Sequence, residues 1–200
     1  MPYEYRKLTS REREESVLYR HEHGYPLHAP PHPFREAGYY LITAANFEHA
    51  PIMDSPERRT EFEILLLESM KGIHAEVIAW VILLNHYHIL IDVESLDSVS
   101  AALKYLHGKT SRQWNLQENL TEKRRVRYKF SDRLMRNETQ LNQTFNYIHY
   151  NPIKHGYTDE IYEWPWSSLK LYEESQGQDW FRKLWKSNPP PEEFGRGWDD

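Results

Sequence analysis

Apolar and polar positions along the chain alternate in two periods, one near 2 and one near 3.6, and the switches between them mark out the elements. Tyr39 to Ala45 (YYLITAA) has the β-branched and aromatic content of a strand. Ser55 followed by Pro56 reads as a helix N-cap with a first-turn proline, and FEILLLESM beyond it carries apolar residues at helical spacing. Ile73 to Leu84 (IHAEVIAWVILL) and His86 to Val93 (HYHILIDV) are two strand-like runs so close that only a tight turn near Leu84-Asn85 can join them, which predicts an antiparallel hairpin. Asp97 is the expected cap of a second helix, with Val99, Ala102, Leu103 and Leu106 on one face, running to about Gln117. Val126 to Phe130 is a weaker strand candidate, and Thr139 to Tyr150 reads as a helix with Leu141, Phe145 and Ile148 as its apolar stripe.

The resulting order, β-α-β-β-α-β-α, predicts an α+β fold in which two helices cross between strands of one antiparallel sheet, the ferredoxin-like split βαβ arrangement with flanking helices. Flanking segments differ in character. Residues 1–38 are charged and then rich in Pro and His ("YPLHAPPHPF"), read as an arm with a short helix, while residues 176–200, ending "KSNPPPEEFGRGWDD", read as a tail. That leaves 39–175 as the body of the fold. No internal repeat is evident.

Composition changes this picture in two respects. With no cysteine among 200 residues, disulfide frameworks and thiolate zinc sites are excluded, so a metal would have to be held by His, Asp, Glu, Asn or Gln. The net charge of −5 argues mildly against a nucleic-acid partner, but it hides a contrast: Ala101 to Arg136 holds ten Lys or Arg against three acids, +7 in a chain whose remainder is −12. A basic face and a merely solvated helix and loop are both compatible with that count. The longest apolar run, Val77 to Leu84, is too short to span a bilayer, and the charged start lacks a signal peptide's apolar stretch, so the expectation is a cytoplasmic protein without a membrane partner.

The oddity is "NHYHIL", Asn85 to Leu90, which puts two imidazoles one residue apart into a greasy strand. Residues i and i+2 of a strand point to one side, so His86 and His88 should project together, on a face shared with Ile82, Leu84, Leu90 and Asp92, with Tyr87, Ile89 and Ile91 opposite. Two such rings can hold one divalent cation, or they can be satisfied by carbonyls and water at a strand end. His21 and His23 have the same spacing but sit among charged residues with no apolar strand around them, and with His28 and His32 they belong to a solvated arm; His49, His74 and His107 are isolated. In "TFNYIHYNPIKHGY", Tyr147 and Asn151 lie about 40° apart on a helix, at the edge of the apolar stripe. Such a tyrosine is ordinarily a packing residue, and Asn before Pro is ordinarily a helix stop. Trp164 and Trp166 suit core packing better than base stacking.

Taken together, these segments resemble those of a known family, the single-tyrosine HUH transposases, and within them the REP-associated tyrosine transposases. "NHYHILI" is similar to that family's "PNHVHLLI", "YIHYNPIKHGY" to its "YIHLNPVKAGL", "YKFSDRLMRNE" to its "YDRVIRDE", and "WPWSSLKLY" contains its "WPWSS". The likeness spans roughly 39–172, in order; Leu84 departs from it, standing where the family usually has proline. The resemblance implies His86, His88 and Asn151 as ligands of Mg²⁺ or Mn²⁺, Tyr147 as nucleophile, and single-stranded DNA hairpins as substrate, cut and rejoined through a 5′-phosphotyrosine by a monomer or homodimer. The basic stretch then offers Lys104, Lys109, Arg112, Arg124, Arg125, Arg127, Lys129, Arg133 and Arg136, with Lys154 beyond the helix, as candidate DNA-binding residues. The alternatives are a relative that grips DNA or RNA hairpins without cutting, a metallohydrolase using water, and an interaction protein with no site.

Overall fold

A computed structural model describes residues 37–120, 124–127, 129–192, 194 and 195, together with 9, 11, 12, 14, 15 and 18. The chain divides into two compact units, Arg35–Phe194 and a second made of Met1–Phe34 with Gly195–Asp200. In the second unit residues 11, 12, 14, 15 and 18 are helical. His21, His23, His28 and His32, assigned to the arm, lie outside the described residues.

The larger unit is built on a sheet of β1 (Gly38–Ala45), β2 (Glu76–Ile82), β3 (His86–Val93) and β4 (Ser131–Leu134). Their order in space is β2-β3-β1-β4 with every pair antiparallel, the ferredoxin-like order expected. Helix α1 (Pro56–Gly72) starts where the sequence predicts, with the Ser55 hydroxyl accepting the Arg58 N–H at 3.3 Å and Pro56 in the first turn, where its missing N–H costs nothing. Helix α2 (Leu96–Gln117) is capped by Ser95 instead of Asp97: the Ser95 hydroxyl accepts the Asp97 N–H at 3.3 Å, so Asp97 sits inside the first turn, where its charge suits the helix dipole. Phe62, Leu66 and Met70 of α1 and Val99, Leu103, Leu106 and Trp114 of α2 recur at three- and four-residue spacing, and all are buried against Tyr40, Ile42, Tyr87, Ile89 and Ile91 on one side of the sheet.

The other side carries α3 (Glu138–Lys154). It runs four residues beyond its expected end, through Pro152, and so corrects the reading of Asn151-Pro152 as a stop. A proline this close to a helix end forfeits one backbone hydrogen bond, and the buried residues Thr144 to His149, with Asn151, hold the helix in place around it. Two short helices follow, α4 (Leu169–Gln176) and α5 (Gln178–Ser187), joined at Gly177, whose φ of +81° a side chain would resist. Helix α5 falls in the segment read as a tail, yet it is packed with the sheet unit: Phe181 is buried, and Asn146 on α3 donates to the carbonyls of Leu184 and Asn188.

Two further expectations need correction. The fourth strand is 131–134, not 126–130. Val126 and Arg127 are buried where Val126 accepts the Phe47 N–H and Arg127 bridges Asn46, beyond the end of β1, and only then does the chain pair Ser131–Leu134 with Thr43–Tyr40. The faces of the hairpin also differ from the simple count. The turn takes three residues, Leu83 to Asn85, and Ile82 pairs with Tyr87, so Ile82 joins the α1/α2 side while Val81 faces His88. The free edge of β2 is covered by the "WPWSS" segment, whose backbone meets Ile82 and Trp80. Trp164 is buried with its indole N–H on the Ile82 carbonyl, and Trp166 lies under the Arg59 guanidinium at 3.8 Å, which makes both packing residues. Among the described residues no helix is long and apolar enough to cross a membrane.

Candidate active site

Strand pairing brings the two imidazoles to the α3 side. His88 lies opposite Thr43 on β1 and His86 opposite Ala45; both rings are buried, with centroids 5.0 Å apart and an interplanar angle of 77°. Each Nδ1 is engaged by an oxygen, that of His86 by Asn85 Oδ1 at 2.7 Å and that of His88 by Thr43 Oγ1 at 2.7 Å. An amide oxygen can only accept, so Nδ1 of His86 carries the proton and its Nε2 presents a lone pair. Nε2 of both rings is buried within the site, as is Oδ1 of Asn151. Burial pushes the His86 pKa well below the usual imidazole value; neighbouring His88, His155 and His49 push the same way, and contact with the Asn151 side chain opposes them. A neutral His86 results, the form that can coordinate a cation.

Helix α3 supplies the other side. Tyr147, Asn151 and Lys154 stand at i, i+4 and i+7, which places them on one stripe. The Tyr147 ring meets His88 at 5.5 Å between centroids, Asn151 donates its amide N–H to the Tyr147 carbonyl at 3.0 Å, and the Lys154 ammonium reaches back to the Tyr147 hydroxyl at 3.4 Å. The nucleophile candidate is covered, at 2% exposure: Phe194 packs on its ring at 4.4 Å, and the Arg133 guanidinium lies 5.1 Å from the Phe194 ring.

The expected site residues His86, His88, Tyr147 and Asn151 are thus brought together, although 61 residues separate the first from the third. Sequence reasoning passed over several neighbours. Thr43 and Asn85 orient the rings; only the register, not composition, identifies Thr43. His49, read as isolated, acts on His86, and His155 stacks edge-on to it at 5.0 Å. His149, fully buried, hydrogen-bonds Ser168 at 2.8 Å and so ties the helix to the segment along β2. His107 keeps its structural reading, bonded to the Tyr87 hydroxyl at 2.9 Å on the far side of the sheet. Among the described residues no group of three or more His, Cys, Asp or Glu is arranged for a metal ion, so a metal centre here would need the Asn151 amide as its third protein donor.

The basic residues do not form one surface. Lys104, Lys109 and Arg112 line a shallow groove on the outer side of α2, with Tyr105 and Leu116, on the opposite side of the sheet from Tyr147. Arg124 is held by both oxygens of Glu118, and Arg125 packs over Phe47 at 5.0 Å. Arg127 is not available to DNA at all: its guanidinium is buried 4.1 Å from the Phe62 ring and 5.3 Å from Trp114, and burial brings its pKa down to about 10. Lys129 and Arg136 are exposed. Arg133, opposite Leu41 on β1, shares the face of Thr43 and His88, as Lys154 does from the helix.

No protein-family model matches the chain. A curated Haemophilus influenzae protein, described as a candidate REP-associated tyrosine transposase, is 29% identical over 131 residues, which cover 60% of this chain and 74% of that protein. A solved structure described as a REP-associated tyrosine transposase bound to a REP hairpin has the same fold: it superposes with a TM-score of 0.57 over 74% of this chain and 87% of its own, at 18% identity. In sequence the chain is thus similar to a protein described as a REP-associated tyrosine transposase, and it shares the fold of a solved structure of that description.

Proposed function

We propose that the protein is a metal-dependent single-stranded DNA transposase that cuts and rejoins DNA at hairpin sites through a 5′-phosphotyrosine on Tyr147. The observation that carries this reading is the meeting of Tyr147 with His88 at 5.5 Å, on the side of the sheet where His86 and Asn151 also converge. A cleaving phenol needs alignment with the phosphorus and compensation of the phosphate's charge, and residues of β3 and α3 would supply both.

The donor set fits a hard divalent cation. Nε2 of His86, Nε2 of His88 and Oδ1 of Asn151 would hold it, and because all three are neutral the ion would keep its full charge for the substrate. Mg²⁺ or Mn²⁺ bound there supplies Lewis-acid polarisation of the scissile phosphate. The protein's own part is to fix the donors: Asn85 and Thr43 lock the rings through Nδ1, and α3 carries Asn151 and Tyr147 on one rigid stripe. In cleavage the Tyr147 O–P bond forms as the P–O3′ bond breaks; the phenol proton leaves to water and the 3′-oxygen ends as a hydroxyl. Rejoining runs these bonds in reverse, so no nucleotide cofactor is required.

Thr43→Val keeps the shape of the side chain and removes the oxygen bonded to His88. Its expected effect is a Mn²⁺ affinity lower by about 10- to 100-fold, read by calorimetry, with the fold intact by circular dichroism. The function itself is tested by incubating the protein with labelled single-stranded hairpins and Mg²⁺ or Mn²⁺, then locating a denaturation-resistant DNA adduct on a peptide by mass spectrometry. An adduct on Tyr147 is expected; none from a range of hairpins would defeat the reading. The burial of Tyr147 under Phe194 favours a second reading, a hairpin-binding protein that does not cut, which predicts binding without adduct.

A further inference from the structure

The cations proposed above for DNA include one whose position suits another task. Lys154 stands seven residues after Tyr147, nearly two full turns, so the two side chains leave the helix within about 20° of each other and about 10 Å apart along the axis. The lysine stem leans toward the helix N-terminus, as helical side chains do, and crosses that gap: Nζ lies 3.4 Å from the Tyr147 oxygen and 5.3 Å from its ring centroid. Arg133, another cation on this face, lies against Phe194 instead.

We infer that Lys154 is a catalytic residue, whose ammonium group balances the negative charge on the Tyr147 oxygen while its bond to phosphorus is only partly made. The inference rests on the transposase reading. In rejoining, a 3′-hydroxyl attacks the phosphotyrosine, the P–O bond to Tyr147 breaks, and the phenol oxygen takes the electron pair; a fixed ammonium donating to that oxygen meets the charge where it develops. The phenolate then takes a proton from water, and the one lost by the attacking hydroxyl goes to water. Cleavage passes through the same transition state in the opposite direction, so the same contact speeds both.

A purely structural role is available to the same residue, since a cation in the last turn suits the helix dipole, and a purely DNA-binding role is available to any exposed lysine. The test separates the three. Lys154→Met keeps the stem and loses the charge; Lys154→Arg keeps both. Hairpin Kd is measured by fluorescence anisotropy, the rate of adduct formation in single turnover at saturating DNA with Mn²⁺, and the folded state by thermal unfolding. The expected result for Lys154→Met is a saturating rate about 10²-fold lower with Kd within about threefold, an unchanged melting temperature, rejoining slowed in step, and partial recovery in Lys154→Arg. A Lys154→Met protein that reaches the wild-type rate once DNA is saturating overturns the inference and makes Lys154 a DNA contact, while the transposase reading stands. A wild-type protein that forms no adduct overturns the transposase reading, and this one with it.

Discussion

Replacing Tyr147 by phenylalanine is expected to lower covalent capture of DNA by about 10⁴-fold or more, as loss of an enzyme's nucleophile does, while hairpin binding and the fold persist. The fold should persist because the contacts that hold this side chain belong to its ring: His88 at 5.5 Å and Phe194 at 4.4 Å are both kept by phenylalanine. What is lost is the hydroxyl with its long contact to Lys154, whose net worth to stability is about 1 kcal/mol or less. The measurement is a denaturing gel of labelled hairpin with Mn²⁺, alongside anisotropy for Kd. It also separates the rival chemistries. If the imidazole pair activates water, strand nicking survives the substitution and no adduct forms in either protein. If the protein only binds hairpins, neither protein nicks. An adduct of equal yield in both would place the nucleophile elsewhere and remove Tyr147 from the mechanism.

The parts of the fold that could be read ahead of the structure are those where a local pattern has one physical solution. Two apolar runs as close as Ile73–Leu84 and His86–Val93 can only be a hairpin, and Ser55-Pro56 can hardly be anything but a helix start. Where the sequence allows two solutions of similar cost, tertiary packing chose. β4 is Ser-Asp-Arg-Leu, four residues at a sheet edge with little apolar content, so its strand character comes from pairing with β1 and leaves almost no trace in composition. Asp97 and Ser95 are both competent caps, and the chain uses Ser95. The site divides in the same way. Same-side projection of His86 and His88 follows from a period of two, but their meeting with Tyr147 depends on α3 crossing the back of the sheet, which no spacing in the chain encodes. Resemblance to a family supplied that link. Thr43 looks like any strand threonine until the register sets it opposite His88. Arg127 looks like any member of a basic run, and only the cage of Phe62, Tyr87 and Trp114 takes it out of the solvent.

Acid is expected to destabilise this protein well before its carboxylates are protonated, because it keeps neutral imidazoles in its interior. His149, buried against Phe145 and bonded to Ser168, has its pKa brought down from 6.5 to about 3 by burial. His107, bonded to Tyr87 on the other side of the sheet, is lowered well below 6.5 by burial and then by the charge of Arg127. Above pH 6.5 both rings are neutral whether the chain is folded or not, and they make no pH-dependent contribution. Below it the unfolded chain takes up protons that the folded chain refuses, so stability falls as pH falls, and for His149 the loss continues to about pH 3. At 1.36 kcal/mol per pH unit, lowering the pH to 5 removes about 2 kcal/mol through His149, and His107 and His86, held neutral by burial, shift stability in the same direction. The His149 share alone is a sizeable part of the stability of an ordinary domain, 5 to 15 kcal/mol or thereabouts. The urea midpoint should therefore fall steeply between pH 8 and pH 5 at constant ionic strength, with an unchanged slope, in protein freed of divalent cations so that ligand release does not contribute. His149→Gln, which can still bond Ser168 and cannot titrate, should reduce that fall by the His149 share, about 2 kcal/mol at pH 5. An equal midpoint at both pH values would mean that these rings accept protons in the folded state, through water or movement of the segment along β2.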